Sequence, residues 1–177
     1  MNAIPEHWRA GGNIRFADVR QLLENEDLAY RNELLTFVRQ HVSRIRPAVK
    51  NSWLMIEMVR YYLDCIAFGP SLETSGDDET FHSPFEAASQ LVRWFDWYRI
   101  HHKKKSDMPQ IVDKISEFYR SGSESQRNCI ETGFLEHAFE HRDNRIFFNP
   151  WENDPILCEA HREALKWAVA HEHSHEP

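Results

Sequence analysis

The chain has 177 residues, of which 41% are hydrophobic and 28% charged, and its formal net charge is −7. A chain of this length can bury about 70% of the surface that its unfolded form exposes, so its core needs no disulfide or metal to stabilise it. This composition is typical of a soluble globular protein, and three widely spaced cysteines indicate neither a disulfide framework nor a zinc knuckle.

Neither a secretory signal nor a membrane span is predicted. The N-terminal stretch MNAIPEHWRAGG lacks an apolar core, and the most apolar run of the chain is interrupted by Glu57, Arg60 and Asp64. Three charges near the middle of a bilayer would be energetically expensive. We therefore expect no membrane association and a cytoplasmic location, where cysteines stay reduced.

The negative charge is concentrated in the last part of the chain. Residues 106–177 carry seven basic and fourteen acidic side chains, which alone amounts to the whole net charge of −7. Such a surface repels phosphate backbones and attracts basic partners, so we expect a basic protein partner and no nucleic acid. The alternative is that the acidic residues serve only solubility.

Helical periodicity begins near the N-terminus and continues almost throughout. Residues 15–25 predict a short helix, and residues 28–46 predict an amphipathic one. Pro47 is expected to end the second helix, because proline lacks an N–H and restrains its predecessor. An apolar helix is then predicted over residues 49–68.

The one long loop, residues 70–83, leads into a helix with aromatic side chains. Ser83 and Glu86 form a capping box at its start, and the sequence HHKKK follows its last turn. The stretch RWFDWYRIHHKKK also suggests stacking on nucleic-acid bases. We favour a core role for Trp94 and Trp97, because the chain is acidic overall.

Further helices are predicted over residues 108–120, 124–141 and 155–172. Asp107 is expected to cap the first of these, Ser123 and Gln126 form a capping box for the second, and Asp154 begins the third. The His-rich segment 170–177 is predicted to be a frayed tail.

The sequence therefore predicts an all-α fold, a single compact domain of six or seven helices over residues 1–177. The 49–68 helix is expected to be central, with an αα-hairpin over residues 108–141 in the C-terminal half. The predicted core includes five residues: Trp94, Trp97, Phe118, Phe134 and Leu135.

One short pattern suggests metal chemistry. His137, Glu140 and His141 fit H-x-x-E-H, which in one class of zinc peptidases supplies two ligands and a general base from one helix. A catalytic zinc needs a third protein ligand, and no later segment offers an obvious one. We therefore expect no metal and no cofactor, and keep a zinc-dependent hydrolase as the alternative.

Residues 111–141 contain an amphipathic helix, a polar turn and then the pattern R-N-x-I-x-T-G-F-L-E. This order resembles that of a family of small all-helical bacterial proteins, many of them immunity proteins of polymorphic toxin systems. The resemblance covers about a quarter of the chain. It rests on Arg127, Asn128, Ile130, Gly133, Phe134, Leu135 and Glu136, with Trp151 and Trp167 further along.

The resemblance implies an immunity protein that is not an enzyme and has no catalytic residue. Such a protein binds a cognate toxin domain and occludes its active site. The expected partner contacts are acidic: Asp77, Asp78 and Glu79 on the long loop, and Glu136 and Glu140 on a helix. A helical adaptor without a toxin partner is the remaining alternative.

Overall fold

The computed structural model describes residues 3–48, 50–68, 83–101 and 107–172. Helices dominate these residues, which confirms the all-α class. The chain divides into two compact units, residues 1–61 and 62–177, and the boundary falls inside one helix. That all 177 residues form a single domain stays a prediction. No helix among the described residues is both long and apolar enough to cross a membrane.

The first unit combines helices with one short pair of strands. Asp27 begins the third helix, because its carboxylate accepts a hydrogen bond from the backbone N–H of Tyr30 at 3.0 Å. The strands pair in parallel, with Ile14 opposite Ile45. In chain order the elements are α1 (Glu6–Arg9), β1 (Ile14–Arg15), α2 (Phe16–Leu23), α3 (Leu28–Gln40), a 3₁₀ turn (Val42–Arg44), β2 (Ile45–Arg46) and the first part of α4 (Asn51–Phe68).

The prediction of a helix up to residue 46 is wrong, because α3 ends at Gln40. Ile45 is fully buried in the extended β2 strand. Arg44 donates to the carbonyl oxygen of Gly12 at 2.6 Å and also to that of Trp8. Pro47 disfavours helical geometry at Arg46, the residue before it. The contacts of Arg44 and Ile45 are made by residues that lie beyond the end of α3.

The second unit contains the rest of α4 and the C-terminal helices. The predicted capping box at Ser123 and Gln126 is present, with hydrogen bonds of 3.4 and 2.8 Å. The elements after α4 are α5 (Pro84–His101), α6 (Met108–Ser121), α7 (Glu124–Asn128), a π-helical segment (Cys129–Leu135), α8 (Glu136–Glu140), α9 (Arg142–Arg145), a 3₁₀ segment (Ile146–Asn153) and α10 (Cys158–Glu172).

Helix α6 begins at Met108 as predicted, but its predicted cap is absent, and α10 begins later than predicted. Asp107 makes no capping hydrogen bond to α6; its carboxylate instead accepts one from the hydroxyl of Tyr98 at 2.9 Å. Asp154 accepts from the backbone N–H groups of Ile156 and Leu157, and this turn delays the start of α10 to Cys158. At its other end α10 continues to Glu172, so residues 170–172 are helical, and residues 173–177 lie outside the described part of the chain.

The core of the second unit is aromatic. Neighbouring rings in it lie 5.4 to 6.0 Å apart. Its fully buried members include Phe95, Phe134, Phe139, Phe148 and Trp151.

The predicted core was right for two residues and wrong for one. Phe134 and Leu135 are fully buried, whereas Trp94 and Phe118 are partly exposed. Trp97 is 46% exposed, so its assignment to the core was wrong. The buried side of α5 carries Phe95, and two helical steps of about 100° place Trp97 on the opposite side.

The stretch that carries the family resemblance stabilises the fold. Arg127 donates to the carbonyl oxygens of Tyr119 and Arg120, both at 2.9 Å, and so caps the C-terminus of α6. A Cβ atom added at Gly133 would lie 2.8 Å from the Cβ of Ala88. The missing side chain therefore allows α5 and the π-helical segment to pack closely.

Candidate partner-binding surface

Helices α8 and α10 pack against each other in the second unit and share an exposed surface. Glu136, His137 and Glu140 come from α8, and Trp167 and His171 come from α10. We call these five residues the α8–α10 surface. The rings of His137 and Trp167 join the two helices, with centroids 5.3 Å apart and planes nearly perpendicular.

The indole of Trp167 contacts two imidazole rings. His171 stacks on the indole with centroids 4.0 Å apart, and its Nδ1 lies 2.8 Å from the carbonyl oxygen of Trp167. Because a carbonyl oxygen only accepts, this contact places a hydrogen on Nδ1. The indole stays partly exposed. A fixed, accessible tryptophan is typical of the residues that contribute most to protein interfaces.

Two carboxylates lie beside this ring stack. Glu140 is exposed and its Oε1 lies 2.9 Å from the Nδ1 of His137. Partial burial raises the pKa of Glu136 above its ordinary value, and the nearby Glu131 adds to this effect, while His137 and His171 oppose it. Glu136 and Glu140 therefore place two acidic side chains on this surface.

The helix that should carry the H-x-x-E-H pattern ends before its last residue. α8 stops at Glu140, and His141 has extended backbone angles, φ −89° and ψ 107°. His137 contacts Glu140, whereas the Nε2 of His141 lies 3.4 Å from Asp96 on α5. The expectation that both histidines belong to one helix was therefore wrong. Within the described ranges, no three His, Cys, Asp or Glu side chains are grouped as a metal site requires.

A buried asparagine accounts for this change of direction. Asn144 is fully buried, and its amide nitrogen donates to Asp96 at 2.8 Å and to the carbonyl oxygen of Ala138 at 2.7 Å. Arg99 lies 3.6 Å from the same Asp96 carboxylate. These contacts fasten the turn after α8 to α5, so the Asp96 cluster is a fold contact.

The structure brings together two of the five predicted partner contacts. Glu136 and Glu140 lie on the α8–α10 surface, while Asp77, Asp78 and Glu79 lie outside the described residues. The prediction did not assign Trp167 or His171 to this surface.

A sequence signal for these two residues does exist, namely W-x-x-x-H. Trp97 and His101 on α5 have the same spacing, stack with centroids 5.1 Å apart and make the same 2.8 Å contact between Nδ1 and a backbone carbonyl. The spacing predicts the stacked pair, but not that Glu136 and Glu140 lie beside one of the two pairs.

Comparison of the chain with protein-family models, curated proteins and solved structures gives no match.

Proposed function

We propose that this protein is a non-catalytic inhibitor that binds a basic bacterial toxin domain and occludes its active site, as immunity proteins do. The observation that carries the proposal is the display of acidic side chains on the second unit. Among the described residues from α6 to α10, eight carboxylates are exposed: Asp113, Glu117, Glu124, Glu140, Asp143, Glu152, Glu159 and Glu163.

The cations of this unit offset part of that charge. Lys114 pairs with Glu117 at 2.7 Å, and Lys166 pairs with Glu163 at 3.3 Å. Arg162 lies 3.5 Å from Glu159, and Arg99 lies 3.3 Å from Asp143. The eight carboxylates outnumber these four cations. Arg127 instead directs its guanidinium at backbone carbonyl oxygens, so its contribution is to cap a helix. The net charge of −7 over residues 106–177 is therefore carried largely by exposed carboxylates on ordered helices.

A charged surface on a rigid core suits an inhibitor of a basic enzyme. Complementary charge raises the rate of encounter and selects among partners, while a preformed shape lowers the entropic cost of binding. The aromatic core around Phe95, Phe134 and Phe148 supplies that rigidity. The proposal places the complex in the bacterial cytoplasm, in line with the three free cysteines, Cys65, Cys129 and Cys158.

Co-expression tests this function directly. A toxin domain encoded by a gene beside this one, as the proposal requires, is expressed with and without the full chain, and cell survival and co-purification are measured. Survival together with a stoichiometric complex supports inhibition. Survival without a complex contradicts the mechanism, because a non-catalytic inhibitor must stay bound to the toxin. A stable complex that leaves the toxin active contradicts inhibition and favours an adaptor.

A further inference from the structure

We propose that a lysine or arginine side chain of the basic partner docks on the α8–α10 surface, against Trp167 and between Glu136 and Glu140. This inference rests on the proposed function, because it specifies the contact through which such a partner binds.

The aromatic ring of Trp167 is ordered before a partner binds. Trp167 is partly exposed, and His137 and His171 fix its orientation. A binding residue that is already ordered loses little conformational entropy when a partner arrives. The methylene groups of a lysine or arginine side chain can also pack against the exposed part of the indole.

The charged side chains around that ring are mostly carboxylates. Glu136 and Glu140 lie on α8, and Glu131 on the preceding π-helical segment adds to the negative potential at Glu136. On α10, Lys166 lies one residue before Trp167 but is paired with Glu163 at 3.3 Å. The carboxylates therefore exceed the permanent cations here, which favours a lysine or arginine side chain and disfavours phosphate groups or anionic lipids.

The probe for this contact is a fluorescein-labelled octalysine peptide, measured by fluorescence anisotropy with the purified full chain at low ionic strength and pH 7.5. We expect the double variant E136Q/E140Q to bind about tenfold more weakly. The matched control D113N/E124Q removes the same charge from exposed positions on α6 and α7, and we expect it to change the affinity less than about twofold.

Aromatic variants separate the ring contact from the charge. W167A is expected to weaken peptide binding about fivefold, while W97A, which removes the other histidine-stacked tryptophan, leaves it unchanged. Thermal melts of each variant monitor folding. If W167A fails to fold, W167F tests the contact with an aromatic ring still in place. E136Q/E140Q tests the charge without changing the rings that stack.

Equal weakening by E136Q/E140Q and D113N/E124Q would overturn the inference, because binding would then follow net charge alone. Absence of octalysine binding would overturn it as well. Neither result bears on inhibition, which co-expression measures separately. A toxin domain that E136Q/E140Q neutralises as well as wild type would leave the proposed function standing and remove this docking site.

Discussion

Replacement of Gly133 by alanine tests how the π-helical segment packs on α5. The new Cβ would lie 2.8 Å from the Cβ of Ala88 and 3.4 Å from the Cδ1 of Phe85. Carbon atoms in contact normally lie about 3.5–4.0 Å apart. A side-chain rotation cannot relieve the closer contact, because the Cβ of Ala88 is fixed to the backbone of α5.

The expected loss of stability combines two opposing effects. Overpacking of a dense core costs about 1–3 kcal/mol, whereas alanine gains up to about 1 kcal/mol over glycine in a helix. We expect Gly133→Ala to lower the free energy of unfolding by about 1–2 kcal/mol. For a chain of this size that corresponds to a fall in Tm of about 3–6 °C.

A double-mutant cycle identifies the cause. Ala88→Gly removes the methyl group that the new Cβ would meet, so Gly133→Ala should cost much less in the presence of Ala88→Gly. The free energy of unfolding is measured by urea denaturation for the wild type, both single variants and the double variant. Additive effects, or a Gly133→Ala variant as stable as the wild type, would refute the close-packing argument, since residues in contact are expected to couple by at least about 0.5 kcal/mol.

Three further predictions concern buried polar groups, and each is measured by urea denaturation. Asn144→Asp replaces an amide donor with a carboxylate facing Asp96, so we expect the free energy of unfolding to fall by about 3–5 kcal/mol at pH 7. Asn144→Ala should lower it by only about 1–3 kcal/mol. Similar losses in the two variants would contradict the assigned hydrogen bonds. Burial lowers the pKa of His161, so the unfolded state takes up a proton first as the pH falls. The free energy of unfolding should therefore decrease below about pH 6.5, and His161→Leu should reduce that decrease. An equal decrease in the variant would show that His161 is not its cause. Burial, aided by a hydrogen bond to Glu131, raises the pKa of Tyr119, so its contribution to stability is complete below about pH 10 and is lost as the pH rises further. Tyr119→Phe should flatten that alkaline loss, and an unchanged alkaline slope would count against it.

Local sequence patterns predicted the helices well where local contacts determine them. The periodicity and the turn residues placed α4, α5 and α6 within a few residues of their observed bounds. The capping box at Ser123 depends only on residues three apart, and it is present as predicted. Such features need no knowledge of distant parts of the chain.

The errors arise where distant segments meet. α3 ends early because Ile45 pairs with Ile14, and no local pattern near residue 45 reports that partner. The regular helix predicted over 124–141 contains a π-helical segment, where Gly133 packs against Ala88 of α5. The sequence of α5 also has more apolar positions than one face can bury, and the pattern does not reveal which of them face the core. Trp97 was therefore wrongly assigned to the core.

The candidate surface shows the same division. Glu136 and Glu140 were selected from the sequence because they are acidic and helical, and those two properties are local. Their proximity to Trp167 depends on the packing of α8 against α10, which brings together residues about thirty positions apart. The sequence alone therefore identifies two charged members of the surface but not its aromatic centre.

The end of α8 at Glu140 gives the two histidines of the H-x-x-E-H pattern different surroundings. His137 stays on the helix and contacts Trp167 of α10, where it belongs to an exposed acidic surface. His141 lies beyond the helix and contacts Asp96 of α5, the carboxylate that also accepts from the buried Asn144. The zinc arrangement that the H-x-x-E-H pattern suggests requires both imidazoles on one helical face. The change of direction after Glu140 separates them, so the pattern does not produce that shared face in this structure.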